Sequence, residues 1–362
     1  MSFRFGSPRK LIFGRGSIGD LGGVVKDLGL SGKALLVTGR SFARRSGYLE
    51  KLKTILESSG IAVRIFDKVE PNPSAETVEL GAELAKREEV DFIVAFGGGS
   101  AMDAGKAIAV LSSQGGRAED YFYPVVVKPP VLPVIAIPTT CGTGSEVTKV
   151  AVISKGLRKK VIVGDVIVPI ASILDPDVLS YLPRELLAYT SMDAISHAIE
   201  SYFNKNANPL SDIYVYEALR TIMKYFKDAY DGSIDAREML LYASMLAGKA
   251  INLCGTTIVH GIGYYLTMRY GFQHGLANAL LITQFIRHVS DLMPQQILEL
   301  GRRLGLNPST PTESAELLIK ALNELKRYSK IPLSLREAGV REEDLEKIVD
   351  GGMSYERNLM NL

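Results

Sequence analysis

The first half of the chain alternates short apolar runs with longer segments of helical period. Over residues 33–175 the apolar runs are KALLVT, AVRIFD, DFIVAF and VLPVIAIP, all rich in β-branched residues. Between them, apolar residues recur at three- and four-residue spacing near 48–58, near 75–86 and from 101 onward, which predicts helices. Because alternating strands and helices form a parallel sheet with crossover connections, this half is predicted to be an α/β domain.

Beyond Pro183 the hydrophobic period is that of helices alone. The segments IYVYEALRTIMKYF, REMLLYASMLAGKAINL and SAELLIKALNELKRY carry apolar residues three and four positions apart, a pattern typical of amphipathic helices. We therefore predict two domains. An α/β domain with a parallel sheet spans 1–180, and an all-α domain spans 181–362.

Charge and cysteine content exclude several classes of protein. The 42 Lys and Arg residues nearly balance the 40 Asp and Glu residues, so no nucleic-acid partner is expected. The two cysteines, Cys141 and Cys254, cannot form a disulfide framework, and a cytoplasmic location is expected. Signal-peptide and membrane-spanning patterns are missing from the sequence, since even VVVKPPVLPVIAIP is broken by Lys128 and prolines, and no membrane association is expected.

One glycine motif near the start resembles a dinucleotide-binding fingerprint. Gly14, Gly16 and Gly19 spell G-x-G-x-x-G. That fingerprint requires a buried strand, a following helix and an acidic residue about 20 positions later. The next strand instead ends at Gly39. We predict a turn between short strands here and no phosphate-binding loop.

Two other glycine-rich turns follow strongly apolar runs. Residues 97–100, GGGS, come directly after DFIVAF, and residues 138–146, PTTCGTGSE, come after VLPVIAIP. Glycine lets the backbone approach a pyrophosphate, and the start of the following helix offers unpaired N–H groups. Open α/β sheets bind ligands at the carboxyl ends of their strands. Two such turns at successive strand ends therefore predict a nucleotide site.

The four histidines of the chain suggest a metal centre. Asp193 and His197 are four residues apart in a helical segment and so project from one face. His260 and His274 are two further imidazoles, and one carboxylate with three imidazoles suits Fe(II) or Zn. The alternative is that these histidines are hydrogen-bonded packing residues. His288 has no partner motif and is interpreted as a packing or surface residue.

The combination of GGGSAMDAGK, PTTCGTGSE, MDAISHAIESY and TTIVHGIGYYLTMRYGFQHGLANA resembles the iron-containing (group III) alcohol dehydrogenase family. That family is related to glycerol dehydrogenase and dehydroquinate synthase, and the resemblance covers effectively the whole chain. It implies a dehydroquinate synthase-like fold and a nicotinamide cofactor in the interdomain cleft. The implied ligands of Fe²⁺, or of Zn²⁺, are Asp193, His197, His260 and His274. The implied cofactor-binding residues are Gly97, Gly98, Gly99, Ser100, Asp103, Thr139, Thr140, Thr143 and Ser145, with Asn72 and Lys159 as further contacts.

The resemblance also implies the reaction. We expect a metal-dependent alcohol dehydrogenase or aldehyde reductase that transfers a hydride between a small primary alcohol or aldehyde and NADP(H), acting as a homodimer. The alternative within the same fold is a glycerol- or polyol-phosphate-type dehydrogenase, but no extra Lys and Arg cluster lies near the ligands in sequence. A non-haem iron oxygenase has no use for two nucleotide-type turns. A non-enzymatic metal-binding protein would not need both the four metal-ligand candidates and the two glycine-rich turns.

The choice of cofactor depends on the end of the strand KALLVT. An NAD-preferring enzyme usually places an acidic residue there to bind the ribose 2′-hydroxyl, whereas this chain has Gly39 followed by Arg40 and Ser41, with Arg44 and Arg45 close behind. A guanidinium pairs well with a 2′-phosphate, so NADP is the expected cofactor and NAD the second choice. The alternative is that the arginines only solvate a surface loop.

Two features depart from the family pattern. Many members carry a histidine four residues after His260 as a possible proton relay, whereas this chain has Tyr264, so no proton path is assigned. Family sequences usually continue past the point that matches Asn361 with a short helical tail, and we expect the chain to be truncated there.

Overall fold

The computed structural model describes residues 3–359 and 361–362, which form two compact units. The first unit comprises Phe5–Thr140 and Gly144–Tyr181. The second includes Leu182–Leu362 together with Cys141–Thr143. The short segment Cys141–Thr143 was assigned to the α/β domain from the sequence, and the structure places it in the helical unit instead.

The first unit is built on a parallel sheet, as the sequence predicts. Its strands are β1 (Lys10–Phe13), β2 (Lys33–Gly39), β3 (Ala62–Val69), β4 (Phe92–Gly97), β5 (Val134–Pro138) and β8 (Ala171–Leu174), while β6 (Val150–Lys155) and β7 (Arg158–Val163) form a separate antiparallel hairpin. Among the described residues the parallel sheet has six strands in the order β1-β8-β5-β4-β2-β3. The order reverses between β2 and β4, and ligands of such sheets bind at that point.

Helices cover both faces of this sheet. They are α1 (Leu21–Asp27), α2 (Phe42–Arg45), α3 (Tyr48–Ser58), α4 (Ala75–Arg87) and α5 (Gly99–Gln114). Leu35 and Val37 of β2 belong to the core under α4 and α5, whereas Ala34 and Leu36 belong to the core under α1 and α3. Successive side chains of a strand point to opposite faces. A strand buried on both faces is therefore apolar throughout, which explains the continuous apolar runs.

The second unit is helical. Its helices are α6 (Arg184–Tyr202), α7 (Pro209–Asp231), α8 (Ile234–Cys254), α9 (Ile258–Tyr270), α10 (His274–Leu292), α11 (Pro294–Arg303), α12 (Pro311–Tyr328), α13 (Leu345–Met353) and α14 (Glu356–Leu359). Helix α6 packs against α7, α8 and α10 and is buried on all sides over its last three turns. Polar side chains in that stretch need partners inside the protein. None of the described helices is long and apolar enough to cross a membrane.

Candidate metal centre and nucleotide site

Three of the four predicted metal ligands meet in the helical unit. Asp193 of α6, His260 of α9 and His274 of α10 each offer a ligand atom, and these atoms lie within 4.8 Å of one another. Asp193 Oδ1 is 3.6 Å from His260 Nε2 and 3.8 Å from His274 Nε2. Asp193 and His260 are buried, but 21% of the His274 side chain is exposed. The group is therefore open to solvent on the His274 side.

The fourth predicted ligand, His197, lies beside this group, one helical turn after Asp193. Its ring stacks on that of His260, with centroids 4.5 Å apart and planes 21° from parallel. His197 Nδ1 is 3.2 Å from the carbonyl oxygen of Gly142. Among the described residues, the group whose ligand atoms lie within 4.8 Å of one another does not include His197, so its ligation stays a prediction.

Hydrogen bonds at Nδ1 orient all three rings. His197 Nδ1 meets the Gly142 carbonyl, His260 Nδ1 meets a Glu200 carboxylate oxygen, and His274 Nδ1 lies 3.4 Å from Thr267 Oγ1. Carbonyl and carboxylate oxygens only accept, so in the neutral rings of His197 and His260 the proton lies on Nδ1 and the lone pair on Nε2. The Thr267 hydroxyl can donate or accept, so it orients the His274 ring without fixing its tautomer. This is the arrangement of metal-ligating histidines. Three imidazoles with one carboxylate fit a divalent transition metal.

The electrostatics of the group favour a cation. Burial raises the pKa of Asp193, but the neighbouring histidines outweigh it and hold that pKa well below its usual value. Burial opposes a charged His260, yet Glu200 and Asp193 raise the pKa of its ring to about 9. A metal ion that binds His260 would have to displace the proton that these two carboxylates favour on the ring. Two buried carboxylates, Asp193 and Glu200, would balance the charge of a divalent ion held here.

Two residues of this centre escaped the sequence analysis. Glu200 faces His260, and Asn278 Nδ2 donates to Asp193 Oδ1 at 2.8 Å. The same amide nitrogen is 3.2 Å from His260 Nε2 and 3.3 Å from His274 Nε2. Helical spacing could have identified both, since Glu200 is three residues after His197 and Asn278 is four after His274.

Tyr264, which replaces the expected histidine, packs on the ligands. Its ring stacks on His274 with centroids 5.3 Å apart and meets the edge of His260 at 6.2 Å. Only 7% of Tyr264 is exposed. This side chain therefore shields the ligand rings from water.

Six of the predicted nucleotide residues, Gly97, Gly98, Gly99, Ser100, Thr139 and Thr140, lie at the carboxyl ends of β4 and β5. Thr139 N–H donates to the Gly97 carbonyl at 3.0 Å, and Asn72 N–H donates to Ser100 Oγ at 3.2 Å. Gly97 has a φ of +156°, and a Cβ on Gly98 would lie 3.3 Å from the Thr140 side chain. Among the described residues no side chain caps the start of α5 at Gly98. Its N–H groups and its positive dipole end suit a phosphate.

Behind this turn, Asp103 and Ser145 belong to an internal network. Ser145 Oγ donates to Asp103 Oδ1 at 2.5 Å, and Val152 N–H donates to Asp103 Oδ2 at 3.0 Å. Lys106 Nζ, fully buried, donates to Ser145 Oγ at 2.8 Å. The positive charge of Lys159 in β7 also acts on Asp103. These hydrogen bonds join α5, which begins at the turn, to Ser145 and to β6. Direct contacts of these residues with the cofactor stay predictions.

Burial dominates the protonation of this network. It raises the pKa of Asp103, against the opposing charge of Lys106, and it lowers the pKa of Lys106 to about 8.

Thr143, also predicted to contact the cofactor, lies in the helical unit rather than with Thr139 and Thr140.

The arginines after Gly39 are exposed and paired. Arg40 Nε donates to the Lys68 carbonyl at 3.2 Å, and Arg44 Nε lies 2.6 Å from Asp67 Oδ2. A second Arg40 nitrogen lies 3.5 Å from Glu70 Oε2. Arg45 donates to Ser41 Oγ at 3.3 Å. The predicted guanidiniums are therefore present at the end of β2, and two of them face acidic partners on or just after β3.

The glycine motif near the start contacts a carboxylate of its own chain. The prediction that this motif joins two strands is wrong, because β1 leads through a short 3-10 helix, Ser17–Asp20, into α1. The Gly16 and Ile18 N–H groups donate to the two carboxylate oxygens of Asp175, at 3.0 and 3.1 Å. Amides that a phosphate would need are thus already bonded within the protein.

Comparison with known proteins places these features in one family. Residues 8–176 match the family described as iron-containing alcohol dehydrogenase, and residues 187–361 match the C-terminal region of the Fe-containing alcohol dehydrogenase family. The NAD-dependent methanol dehydrogenase of Bacillus methanolicus is 36% identical over 345 residues, covering 94% of this chain and 90% of that protein. The NADPH-dependent butanol dehydrogenase of Clostridium saccharobutylicum is 33% identical over 352 residues, covering 96% and 89%.

A solved structure supports membership of the same family. A crystal structure of a 1,3-propanediol oxidoreductase has a TM-score of 0.93 to this chain at 34% identity, covering 100% of this chain and 95% of that one. Together these matches confirm the resemblance drawn from the motifs and the predicted fold class.

Proposed function

Because this chain belongs to the iron-containing alcohol dehydrogenase family and is an NAD(P)-dependent oxidoreductase, we propose that it transfers a hydride between a short primary alcohol or its aldehyde and NADP(H). One observation carries this proposal. The ligand atoms of Asp193, His260 and His274 lie within 4.8 Å of one another, with Nε2 of the two histidines 3.6 and 3.8 Å from Asp193 Oδ1, in a chain whose other unit carries a nucleotide-type turn.

The residues of the helical unit would hold Fe²⁺ or Zn²⁺. When bound, such an ion acts as a Lewis acid that lowers the pKa of an alcohol hydroxyl. Asp193, His197, His260 and His274 would hold it, and Asn278 keeps Asp193 Oδ1 in place by a 2.8 Å hydrogen bond. The partly exposed edge of His274 leaves access for a small substrate.

The residues of the α/β unit would hold the cofactor. A bound nicotinamide nucleotide accepts the hydride from the alcohol carbon. Gly97 and Gly98 allow the backbone to approach the pyrophosphate, and the start of α5 faces it with N–H groups. Thr139 and Thr140 form the adjacent wall, since Thr139 is hydrogen bonded to Gly97.

A preference for NADP(H) is supported by the surroundings of Gly39. Exposed ion pairs contribute little to stability, so Arg40 and Arg44 can turn from their acidic partners to a 2′-phosphate at small cost. Glu70 would keep its own partners, because its carboxylate accepts from Ser74 N–H at 2.8 Å and from Thr77 Oγ1 at 2.8 Å. A phosphate offers the guanidiniums a charge-assisted, bidentate contact.

The choice of a short, uncharged alcohol is supported by the side chains around the ligands. Thr267, Tyr264 and Asn278 contact the ligand residues and carry no charge, and the charged Glu200 faces His260 Nδ1 rather than Nε2, where a metal would bind. The relatives named above are a methanol and a butanol dehydrogenase, which supports a primary alcohol of this size.

A panel of substrates tests this function. Purified protein loaded with Fe²⁺ or Zn²⁺ is assayed for reduction of NADP⁺ with ethanol, 1-butanol, 1,3-propanediol and glycerol 3-phosphate. We expect kcat/KM to be highest for an uncharged primary alcohol. A preference for the phosphorylated polyol would instead support the alternative phosphate-type dehydrogenase, and no turnover with any alcohol or aldehyde would contradict the proposal.

A further inference from the structure

A buried carboxylate outside the predicted ligand set contacts the ring of His260. Glu200 lies on α6, one turn after His197, and is fully buried. Its Oε2 faces Nδ1 of His260. Its other oxygen, Oε1, accepts from the Thr257 N–H at 2.7 Å, from Thr257 Oγ1 at 2.7 Å and from the His260 N–H at 3.3 Å.

These contacts require an acceptor at both oxygens of residue 200. Two of the groups around Oε1 are backbone N–H groups, which can only donate. At Oε2, an acceptor keeps the ring proton of His260 on Nδ1 and leaves the lone pair on Nε2. His260 Nε2 is the atom that lies 3.6 Å from Asp193 Oδ1, on the side where a metal would bind.

We propose that Glu200 is a positioning residue of the metal centre: by accepting at both oxygens it holds His260 with Nε2 available to the metal. This inference rests on the metal centre proposed above. Carboxylate partners of metal-bound histidines fix the tautomer and raise the basicity of the ring. The Glu200 charge also offsets part of the charge of a divalent ion in a buried site.

Glutamine at this position makes a sharp test because it has the same shape. Its carbonyl oxygen would take the place of Oε1, facing the N–H groups of Thr257 and His260, so its amino group would face His260 Nδ1. That amino group donates, which moves the ring proton to Nε2 and blocks the metal-directed lone pair. The opposite orientation would place two N–H donors face to face in a buried site.

The experiment uses Zn²⁺ as a diamagnetic probe with the full chain. Zn²⁺ affinity is measured by competition with a chelator, and the ring ¹⁵N signals of the four histidines are recorded in the Zn²⁺-loaded protein. For Glu200→Gln we expect about 10- to 100-fold weaker Zn²⁺ binding. Only His260 should lose its Nε2-coordinated signal, while His197 and His274 keep theirs.

Two variants serve as references. Glu200→Asp still accepts at both oxygens and should keep the His260 signal with a smaller loss of affinity. Glu185→Gln removes an exposed carboxylate from the same helix and should bind Zn²⁺ as the native chain does. A general packing role would loosen all three rings alike in both Glu200 variants, which would overturn the inference.

The remaining outcomes separate this inference from the proposed function. A Glu200→Gln protein that binds Zn²⁺ within about threefold of native and keeps the His260 signal overturns the role of Glu200 and leaves the metal centre intact. A native chain that binds no Zn²⁺ overturns both.

Discussion

Replacing His274 by Ala is expected to leave a folded chain that retains no metal and has almost no turnover. His274 begins α10 and is partly exposed, and alanine is a good helix former, so the helix should persist. Without this ligand the chain loses the chemistry that a Lewis acid contributes, worth several kcal/mol. We therefore expect kcat/KM to fall by about 1000-fold or more, since each 1.36 kcal/mol is tenfold in rate.

His288 provides the matched control. It is an exposed histidine on the same helix, and His288→Ala should keep native metal content and native turnover. Both variants should bind NADPH as the native chain does, because the residues proposed to hold the cofactor pyrophosphate belong to the other unit. Elemental analysis, NADPH titration and kcat/KM check these expectations. Native turnover by His274→Ala, with or without metal, would refute its assignment as a ligand.

Replacing Gly39 by Asp is expected to reverse the cofactor preference from NADP(H) to NAD(H). The change is sterically allowed, since Gly39 is not in the left-handed region and a Cβ there would lie 3.7 Å from the Val69 carbonyl oxygen. Two unit charges about 4 Å apart near a protein surface interact by about 4 kcal/mol before salt screening. Repulsion of the 2′-phosphate should thus lower kcat/KM for NADPH by about 10- to 100-fold, while the ribose 2′-hydroxyl of NADH gains an acceptor.

Gly39→Asn separates charge from size. It has nearly the volume of Asp without the charge, so it should lose much less NADPH activity than Gly39→Asp. The ratio of kcat/KM for NADPH and NADH is measured in the native chain and in both variants. If the native chain prefers NADH, or if Gly39→Asn and Gly39→Asp lose the same amount of NADPH activity, then the end of β2 does not determine the cofactor preference.

Local patterns predicted the fold well because each element carries its own signal. The strand of residues 33–39 is apolar throughout since helices cover both faces of the sheet, and α3 spans the predicted helix. The two predicted metal ligands on α6 could also be chosen from the sequence, because Asp193 and His197 are one turn apart.

Contacts between distant parts of the chain were not predictable in this way. Asp175 accepts from Gly16, 159 positions away, and so gives the first glycine motif a structural partner that no local pattern reveals. Likewise, Asp67 lies 23 positions from the Arg44 it pairs with. Glu200 is one turn after His197, but its contact with His260, 60 positions later in the chain, is visible only in the fold.

The dependence of turnover on metal tests the central claim most directly. Protein stripped with a chelator, its metal content verified by elemental analysis, is assayed with 1-butanol and NADP⁺ and then titrated anaerobically with Fe²⁺, and in parallel with Zn²⁺. We predict that turnover falls in proportion to the metal removed and returns with at least one of the two ions, reaching a plateau at about one ion per chain, as expected for one mononuclear centre. Full turnover by the verified metal-free protein would contradict the account.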